Sequence, residues 1–145
     1  MKKKTFIFLM ASVCLFCMTG CMHHNGNIGH WFGQWKLTQI TINEEPDAAY
    51  NGDIFWSFQS DIILMQGQGA SRGTWEEDGD NLILTFTYSD DYNPQGSQIY
   101  SPLPATHLPA GVSTLRILKS PGTKMELQYV SPEGDKYQYS LSKWW

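Results

Sequence analysis

Three cysteines could carry redox or metal chemistry in this chain, and all three lie near its amino terminus. Cys14 and Cys17 have the CxxC spacing of thiol redox and zinc sites, and Cys21 follows four residues later. Both members of the CxxC pair lie inside an apolar run from Phe6 to Met18, which only Ser12 interrupts. Because no cysteine follows Cys21, the body of the protein has no disulfide and no thiolate metal site.

The apolar run belongs to a segment with the layout of a secretory signal. Three lysines at positions 2–4 precede it, and the small residues Thr19 and Gly20 follow it. The run is too short for a membrane-spanning helix, which needs about 20 mostly apolar residues. We therefore predict that residues 1–20 are removed, and we exclude them from the fold.

The four residues Met18-Thr19-Gly20-Cys21 resemble the lipobox of bacterial lipoproteins. The resemblance implies that the Cys21 thiol receives a diacylglyceryl group, that a peptidase cuts just before it, and that the new amino terminus is acylated. Several acyl chains anchor a protein stably, whereas one gives only marginal binding. The alternative is an ordinary signal peptide with incidental cysteines.

The mature chain would comprise residues 21–145, with a tether at 21–29 and one domain at 30–145. The tether is rich in glycine and asparagine, and its two histidines, His23 and His24, lack a third metal ligand. Loss of three of the ten basic residues leaves seven against fourteen acidic ones, a net charge of -7. Such a charge repels phosphate backbones and argues against nucleic-acid binding.

Short segments with period-two alternation follow, separated by turn residues, and they predict eight strands. In the first strand the apolar phase shifts between Leu37 and Ile40, which predicts a bulge. Asp78-Gly79 predicts a tight hairpin turn, and QGQGAS at 66–71 predicts a loop. The eight segments are GQWKLTQITI, DIFWSF, DIILMQ, RGTWEE, NLILTFTY, TLRILK, KMELQYV and KYQYSLSKW.

Hairpin succession of eight strands favours an all-β, antiparallel up-and-down barrel, because closure removes exposed sheet edges. A two-sheet sandwich is the alternative. The long connection from Ser89 to Ser113 contains four of the seven prolines and predicts a lid or binding loop, with a short helical turn around Ala105 to Leu108. A poorly ordered insertion is the other interpretation of this connection.

Gly33-Gln34-Trp35 at the start of the first strand is a GxW motif, and it resembles the motif that opens the lipocalin barrel. With the lipobox and the hairpin GTWEEDGDNLILTF, residues 28–143 resemble small lipocalin-like lipoproteins of Bacteroides and its relatives, many of which have no assigned function. The resemblance implies that Trp35 plugs the closed end, after a 3₁₀ turn at residues 30–32. It also implies an arginine stacked on Trp35; the last strand has none, so we predict that Arg116 takes this place.

An eight-stranded barrel is either filled by its side chains or holds one small ligand. We predict a small apolar ligand in the barrel mouth, covered by the long connection. The alternative is a filled barrel that serves as an interaction or inhibitor module through its loops and the Trp144-Trp145 pair. The residues expected to point inward are Trp56, Phe58, Leu82, Leu84, Phe86, Met125, Leu127, Tyr129, Tyr137 and Tyr139.

Signals for catalysis are few. The sequence has no GxSxG, HExxH or phosphate-binding glycine loop. Acidic clusters at residues 76–80 and at Asp90-Asp91 could bind calcium, but solvated carboxylates are normal in turns. His107 has no recognisable partner, so we expect a loop residue and not a general base. We predict a protein that is not an enzyme and needs no metal or cofactor.

The cellular location is also an expectation from resemblance. Met22 follows the lipidated cysteine, and lipoproteins without aspartate at this position usually pass to the outer membrane. Surface lipoproteins of the Bacteroides type carry an acidic run here, and MHHNGNIG has none. We therefore expect a lipid anchor in the outer membrane of a Gram-negative bacterium, on its periplasmic face, with no protein partner specified.

Overall fold

The structure is a computed structural model that describes residues 29–86 and 101–145. These residues form nine strands and one 3₁₀ turn. In chain order they are β1 (Gly33–Ile42), β2 (Glu45–Pro46), β3 (Phe55–Gln59), β4 (Ile62–Gly67), β5 (Gly69–Asp78), β6 (Asn81–Phe86), the 3₁₀ turn (Pro104–Thr106), β7 (Gly111–Lys119), β8 (Lys124–Val130) and β9 (Lys136–Lys143).

Eight of these strands close into an antiparallel barrel. Their order is β1-β3-β4-β5-β6-β7-β8-β9, and β9 pairs back onto β1. The two-residue strand β2 was not predicted from the sequence. It pairs antiparallel with the last two residues of β1 and is not one of the eight barrel strands. The predicted up-and-down barrel is therefore confirmed, and the two-sheet sandwich is excluded.

The predicted bulge lies in β1, where β1 meets β9. Leu37 pairs with Leu141 and Gln39 pairs with Ser140, which leaves Thr38 as the extra residue. The Thr38 hydroxyl donates to the Ser140 carbonyl at 2.9 Å. Since a bulge reverses the alternation of side chains, both halves of β1 direct their apolar residues into the barrel.

Two strand boundaries differ from the sequence prediction. QGQGAS is not a loop, because β4 ends at Gly67, β5 begins at Gly69, and only Gln68 lies between them. Gly69 has a φ of +108°, a conformation that glycine adopts readily because it has no Cβ. This conformation allows a connection of one residue. β7 begins at Gly111, earlier than the predicted Thr114.

Trp35 fills the closed end of the barrel, as the GxW motif implies. Its side chain is fully buried, and its Nε1 donates to the Trp31 carbonyl at 2.9 Å. Residues 30–32 form a hydrogen-bonded turn, in which the Phe32 amide donates to the Gly29 carbonyl at 3.1 Å, but not a 3₁₀ helix. Gly33 has a φ of +116°, and a Cβ there would lie 2.6 Å from the Trp145 carbonyl oxygen.

The cation over Trp35 is Lys143, so the prediction of Arg116 is wrong. Lys143 Nζ lies 4.6 Å from the Trp35 ring centroid, and burial lowers the pKa of its ammonium group. Arg116 is exposed, because its neighbour Leu115 occupies the inward position and side chains alternate along a strand. The last strand therefore supplies the cation, as lysine.

Replacing the cation tests this assignment. Lys143→Met keeps the apolar stem and removes the charge, so it should lower the free energy of unfolding by about 0.5–1 kcal/mol. Arg116→Met removes an exposed charge and should change it by less than about 0.5 kcal/mol. Urea denaturation of both variants measures the difference. A larger loss for Arg116→Met would contradict the assignment.

Candidate ligand site at the open end of the barrel

The alternating direction of the strands assigns every connection to one end of the barrel. The closed end carries the short turns after β3, β5 and β7, together with Gly29 and Trp145. The open end carries residues 43–54, Gln68, residues 101–110 before β7, and residues 131–135. A ligand site of the predicted kind would therefore lie among the longer connections.

The barrel interior is lined by the side chains that the sequence predicted. Nine of these ten are buried, and Tyr137 is partly exposed. Gly73 leaves space for the backbone of β6 and for the buried Phe86 ring, since a Cβ there would lie 2.6 Å from the Thr85 carbonyl oxygen and 2.9 Å from the Phe86 ring. The set of inward residues predicted from the sequence was incomplete. Further buried side chains are Leu37, Ile63, Met65, Leu115 and Leu141. In β4 all residues from Ile62 to Met65 are apolar, so alternation does not indicate which of them face inward.

Residues 101–110, hereafter the cap, fold over the open end. Leu103, Thr106 and Leu108 of the cap are buried, and Thr106 has no exposed surface. The predicted helical turn is present as the 3₁₀ turn Pro104–Thr106, which begins one residue earlier than expected. Residues 89–100 of the predicted binding loop, with Asp90-Asp91, lie outside the described residues, as do Thr87 and Tyr88 at the end of the predicted strand NLILTFTY. The described part of the loop thus covers the mouth.

Hydrogen bonds connect the cap to the barrel wall. The Tyr139 hydroxyl donates to the Thr106 carbonyl at 2.6 Å, and burial raises the pKa of this phenol. The Ser71 hydroxyl donates to the Ser101 carbonyl. Within the cap, the Thr106 hydroxyl donates to the Leu103 carbonyl at 2.7 Å. The cap is therefore a folded element with its own internal bond.

A histidine and an aspartate join the cap to the loop after β2. His107 Nε2 lies 2.7 Å from Asp47 Oδ2, and this hydrogen bond lowers the pKa of the Asp47 carboxyl. The His107 ring also stacks on Tyr137, with centroids 5.2 Å apart, and Tyr137 stacks on Tyr129 at 6.1 Å. The expectation that His107 lacks a partner is wrong; the partner is 60 residues distant, and no local pattern marks it.

A cleft of about 290 Å³ opens beside the cap. Tyr50 forms part of its wall, its hydroxyl accepts a bond from the Ile54 amide at 3.3 Å, and burial raises the pKa of Tyr50 to about 12. The cleft is lined by Ala49, Tyr50, Asn51, Asp53, Ile54, Gln68, Leu103, Pro104 and Ala105. A second cleft, of about 210 Å³, lies at the closed end beside Trp31, Trp75 and Glu77.

Three buried polar atoms have no hydrogen-bond partner among the described residues. They are Trp56 Nε1 on β3, Trp75 Nε1 on β5 and Ser113 Oγ on β7. The side chains of Trp56 and Ser113 are buried and that of Trp75 is partly exposed, and a buried donor without a partner costs about 1–3 kcal/mol. The interior therefore offers hydrogen-bonding capacity that a bound molecule could use.

Other site types find less support. Across residues 29–86 and 101–145, no three His, Cys, Asp or Glu side chains converge as metal ligands. The same residues include no helix with the length and apolar character needed to cross a membrane. Residues 76–80 form the end of β5 and its turn, where the carboxylates of Glu76, Glu77 and Asp78 are exposed.

Residues 16–139 match the model of the lipocalin-like domain family, and the chain belongs to this family. A solved structure with a similar fold is a lipocalin-like protein from Bacteroides uniformis ATCC 8492, with a TM-score of 0.54. It shares 16% sequence identity, and the alignment covers 80% of this chain and 100% of that chain. No curated protein matches the sequence. The lipocalin-like barrel supports a module of the ligand-binding type.

The Asp47–His107 pair predicts a pH dependence of the cap. Because the pKa of Asp47 is lowered below 3.8 in the folded protein, its stabilising effect is present above that value and is lost as pH falls through the lower folded pKa. The protection of the Thr106 amide against hydrogen exchange should therefore fall below about pH 4, by up to about fivefold for a partly exposed pair.

Asp47→Asn is the matched control for this prediction. It should weaken protection of the Thr106 amide at neutral pH and abolish the further fall in acid. Hydrogen exchange followed by NMR, corrected for the intrinsic rate at each pH, gives both profiles. Identical profiles for the two proteins would show that the pair does not hold the cap.

Proposed function

We propose that this protein is a lipid-anchored module of the cell envelope that binds a small apolar ligand at the open end of its barrel. The observation that carries the proposal is the cap, which covers an apolar interior and borders a cleft of about 290 Å³. Pockets for small molecules combine apolar walls with a few placed polar groups. The open end has both.

The buried polar atoms of the barrel interior that lack a partner narrow the class of ligand. Trp56 Nε1 can only donate a hydrogen bond, whereas Ser113 Oγ can donate or accept one. A ligand with an apolar body and at least one acceptor oxygen, such as a fatty acid, would satisfy Trp56 Nε1. The interior side chains are packed against one another, so a ligand reaches Trp56 Nε1 when the cap opens and the side chains beneath it move.

The cap is suited to opening without unfolding the barrel. It is joined to the wall by single hydrogen bonds that the Ser71 and Tyr139 hydroxyls donate, and to the neighbouring loop by the bond between His107 and the Asp47 carboxylate, rather than by a strand ladder. Local openings of this kind require less free energy than global unfolding. Because the His107 ring bonds Asp47 and stacks on Tyr137, we assign it to closing the site, and we propose binding rather than catalysis.

The anchor in this proposal is Cys21, which lies outside the described residues together with the rest of residues 1–28. The lipobox sequence supports it, and the absence of an acidic run after Cys21 supports the periplasmic face of an outer membrane. An anchored barrel would hold its ligand at the membrane surface, where apolar molecules are exchanged.

Ligand uptake can be measured with a chain that begins at Gly26 and therefore lacks cysteine and lipid. Native mass spectrometry detects bound fatty acids, and a hydrophobic dye reports the rate of entry. Tyr139→Phe removes one bond to the cap, worth about 1 kcal/mol, and should speed dye entry about fivefold.

Tyr137→Phe is the control, because it removes the same hydroxyl two residues away on β9 and keeps the ring that stacks on His107. Its dye entry should match that of the unchanged protein. If none of the three proteins takes up a fatty acid or dye, the ligand-binding proposal fails.

Anchoring is tested separately on the full chain. The protein isolated from a Gram-negative host should begin at Cys21 and carry the mass of its acyl groups, whereas Cys21→Ser should keep residues 1–20. Intact mass measurement distinguishes the two forms. An unmodified Cys21 in the isolated protein would refute the anchor and leave ligand binding to be decided by the dye.

A further inference from the structure

A group of aromatic side chains lies on the outside of the barrel near its closed end. Trp144, Trp145 and Phe32 are 58%, 78% and 44% exposed. The Trp144 ring meets the edge of Phe55 on β3, with centroids 5.5 Å apart. We refer to Phe32, Phe55, Trp144 and Trp145 as the aromatic patch.

The tryptophans of the patch are held in place on the surface. The Trp144 amide donates to the Gln34 carbonyl at 2.8 Å, and the Gln34 amide donates to the Trp145 carbonyl at 3.1 Å. The Trp145 indole also donates to the Gln34 side chain at 3.1 Å. These bonds continue the β1–β9 pairing beyond Lys143, so the rings remain exposed instead of folding over the barrel end.

The patch has the composition of a membrane–water interface. Tryptophan has an apolar body with one polar atom, and it is enriched where a bilayer meets water. Lys36 Nζ lies 5.7 Å from the Trp144 ring centroid and places a cation beside the patch. The exposed large apolar side chains that the structure describes at the open end are only the valines Val112 and Val130.

The path of the chain brings this end of the barrel to the membrane. Gly29 lies at the closed end, and Cys21 precedes it by eight residues. Eight residues span at most about 28 Å when fully extended. If Cys21 carries the lipid, the closed end cannot move farther than this from the bilayer surface, and the patch stays within reach of it.

We propose that the aromatic patch inserts into the headgroup region of the bilayer and directs the open end of the barrel away from the membrane. This orientation rests on the proposed anchor. The patch acts by ring insertion and not by attraction to anionic lipid, because the charges at this end are mixed: Glu77, Asp78 and Asp80 lie there together with Lys119, Lys124 and Lys143. Zwitterionic phosphatidylcholine is therefore a sufficient surface.

The test uses the full chain, isolated from host membranes and reconstituted into phosphatidylcholine vesicles whose acyl chains carry bromine, which quenches tryptophan on contact. Two of the six tryptophans belong to the patch, so about a third of the fluorescence should be quenched. Trp144→Phe/Trp145→Phe should show almost no quenching, since Trp31, Trp35 and Trp56 are buried and Trp75 lies within the closed-end cleft, packed against the core.

A matched variant tests the orientation. Adding Val130→Trp to the double variant places an exposed tryptophan at the open end and keeps an aromatic patch of phenylalanines. This tryptophan should stay unquenched. Equal quenching of Val130→Trp and of the patch tryptophans overturns the proposal, and so does a lack of quenching in the unchanged protein. If quenching is absent and a protein is found cross-linked to Trp145, the patch binds a protein partner instead.

Failure of the anchor gives a different result. A protein without acyl groups, identified by its mass, can be added directly to the brominated vesicles. The patch should still make the unchanged protein more strongly quenched than the double variant, although less of it binds. Equal quenching of the two proteins overturns the proposed insertion of the patch. Stronger quenching of the unchanged protein supports insertion even without the anchor.

Discussion

Pairing of the first strand with the last is the constraint on which the rest of the structure depends. Seven residue pairs join β1 to β9 and turn a twisted sheet into a barrel without free edges. The bulge at Thr38 lets both halves of β1 face the interior. Beyond Lys143 the same pairing continues to Trp145, and this fixes the carboxyl terminus beside Gly33.

Closure also gives the two ends of the barrel different structures. The closed end is filled by Trp35 beneath Lys143, and short turns cover the rest of it. The open end carries the long connections, which tolerate the irregular backbone that a binding site needs. The cap, the cleft and the Asp47–His107 pair all lie at this end, so the barrel holds them on a rigid frame.

The sequence predicted the fold well because period-two alternation reports directly which face of a strand is buried. It predicted nine strand residues that the structure buries and one, Tyr137, that it leaves partly exposed. The bulge was visible as a phase shift between Leu37 and Ile40. The hairpin at Asp78-Gly79 was visible as turn chemistry, and Gly79 has the expected positive φ of 58°.

Contacts between distant segments were not predictable in the same way. The partner of Trp35 could be any cation that reaches the closed end, and only the register of β9 selects Lys143. The contact between His107 and Asp47 depends on the paths of two irregular loops. The sequence of such loops has no periodicity from which their paths could be predicted. The cap was predicted as a cover for the mouth, but its bond to Tyr139 depends on where the barrel wall places that hydroxyl.

The central claim is that ligand reaches the barrel by opening of the cap, and a reversible cross-link tests it most directly. The chain beginning at Gly26 has no cysteine of its own. The substitutions Asp47→Cys and His107→Cys introduce two, which a short reducible bifunctional reagent can join. Uptake of the hydrophobic dye should stop in the cross-linked protein and return on reduction. Equal uptake before and after reduction would contradict the account.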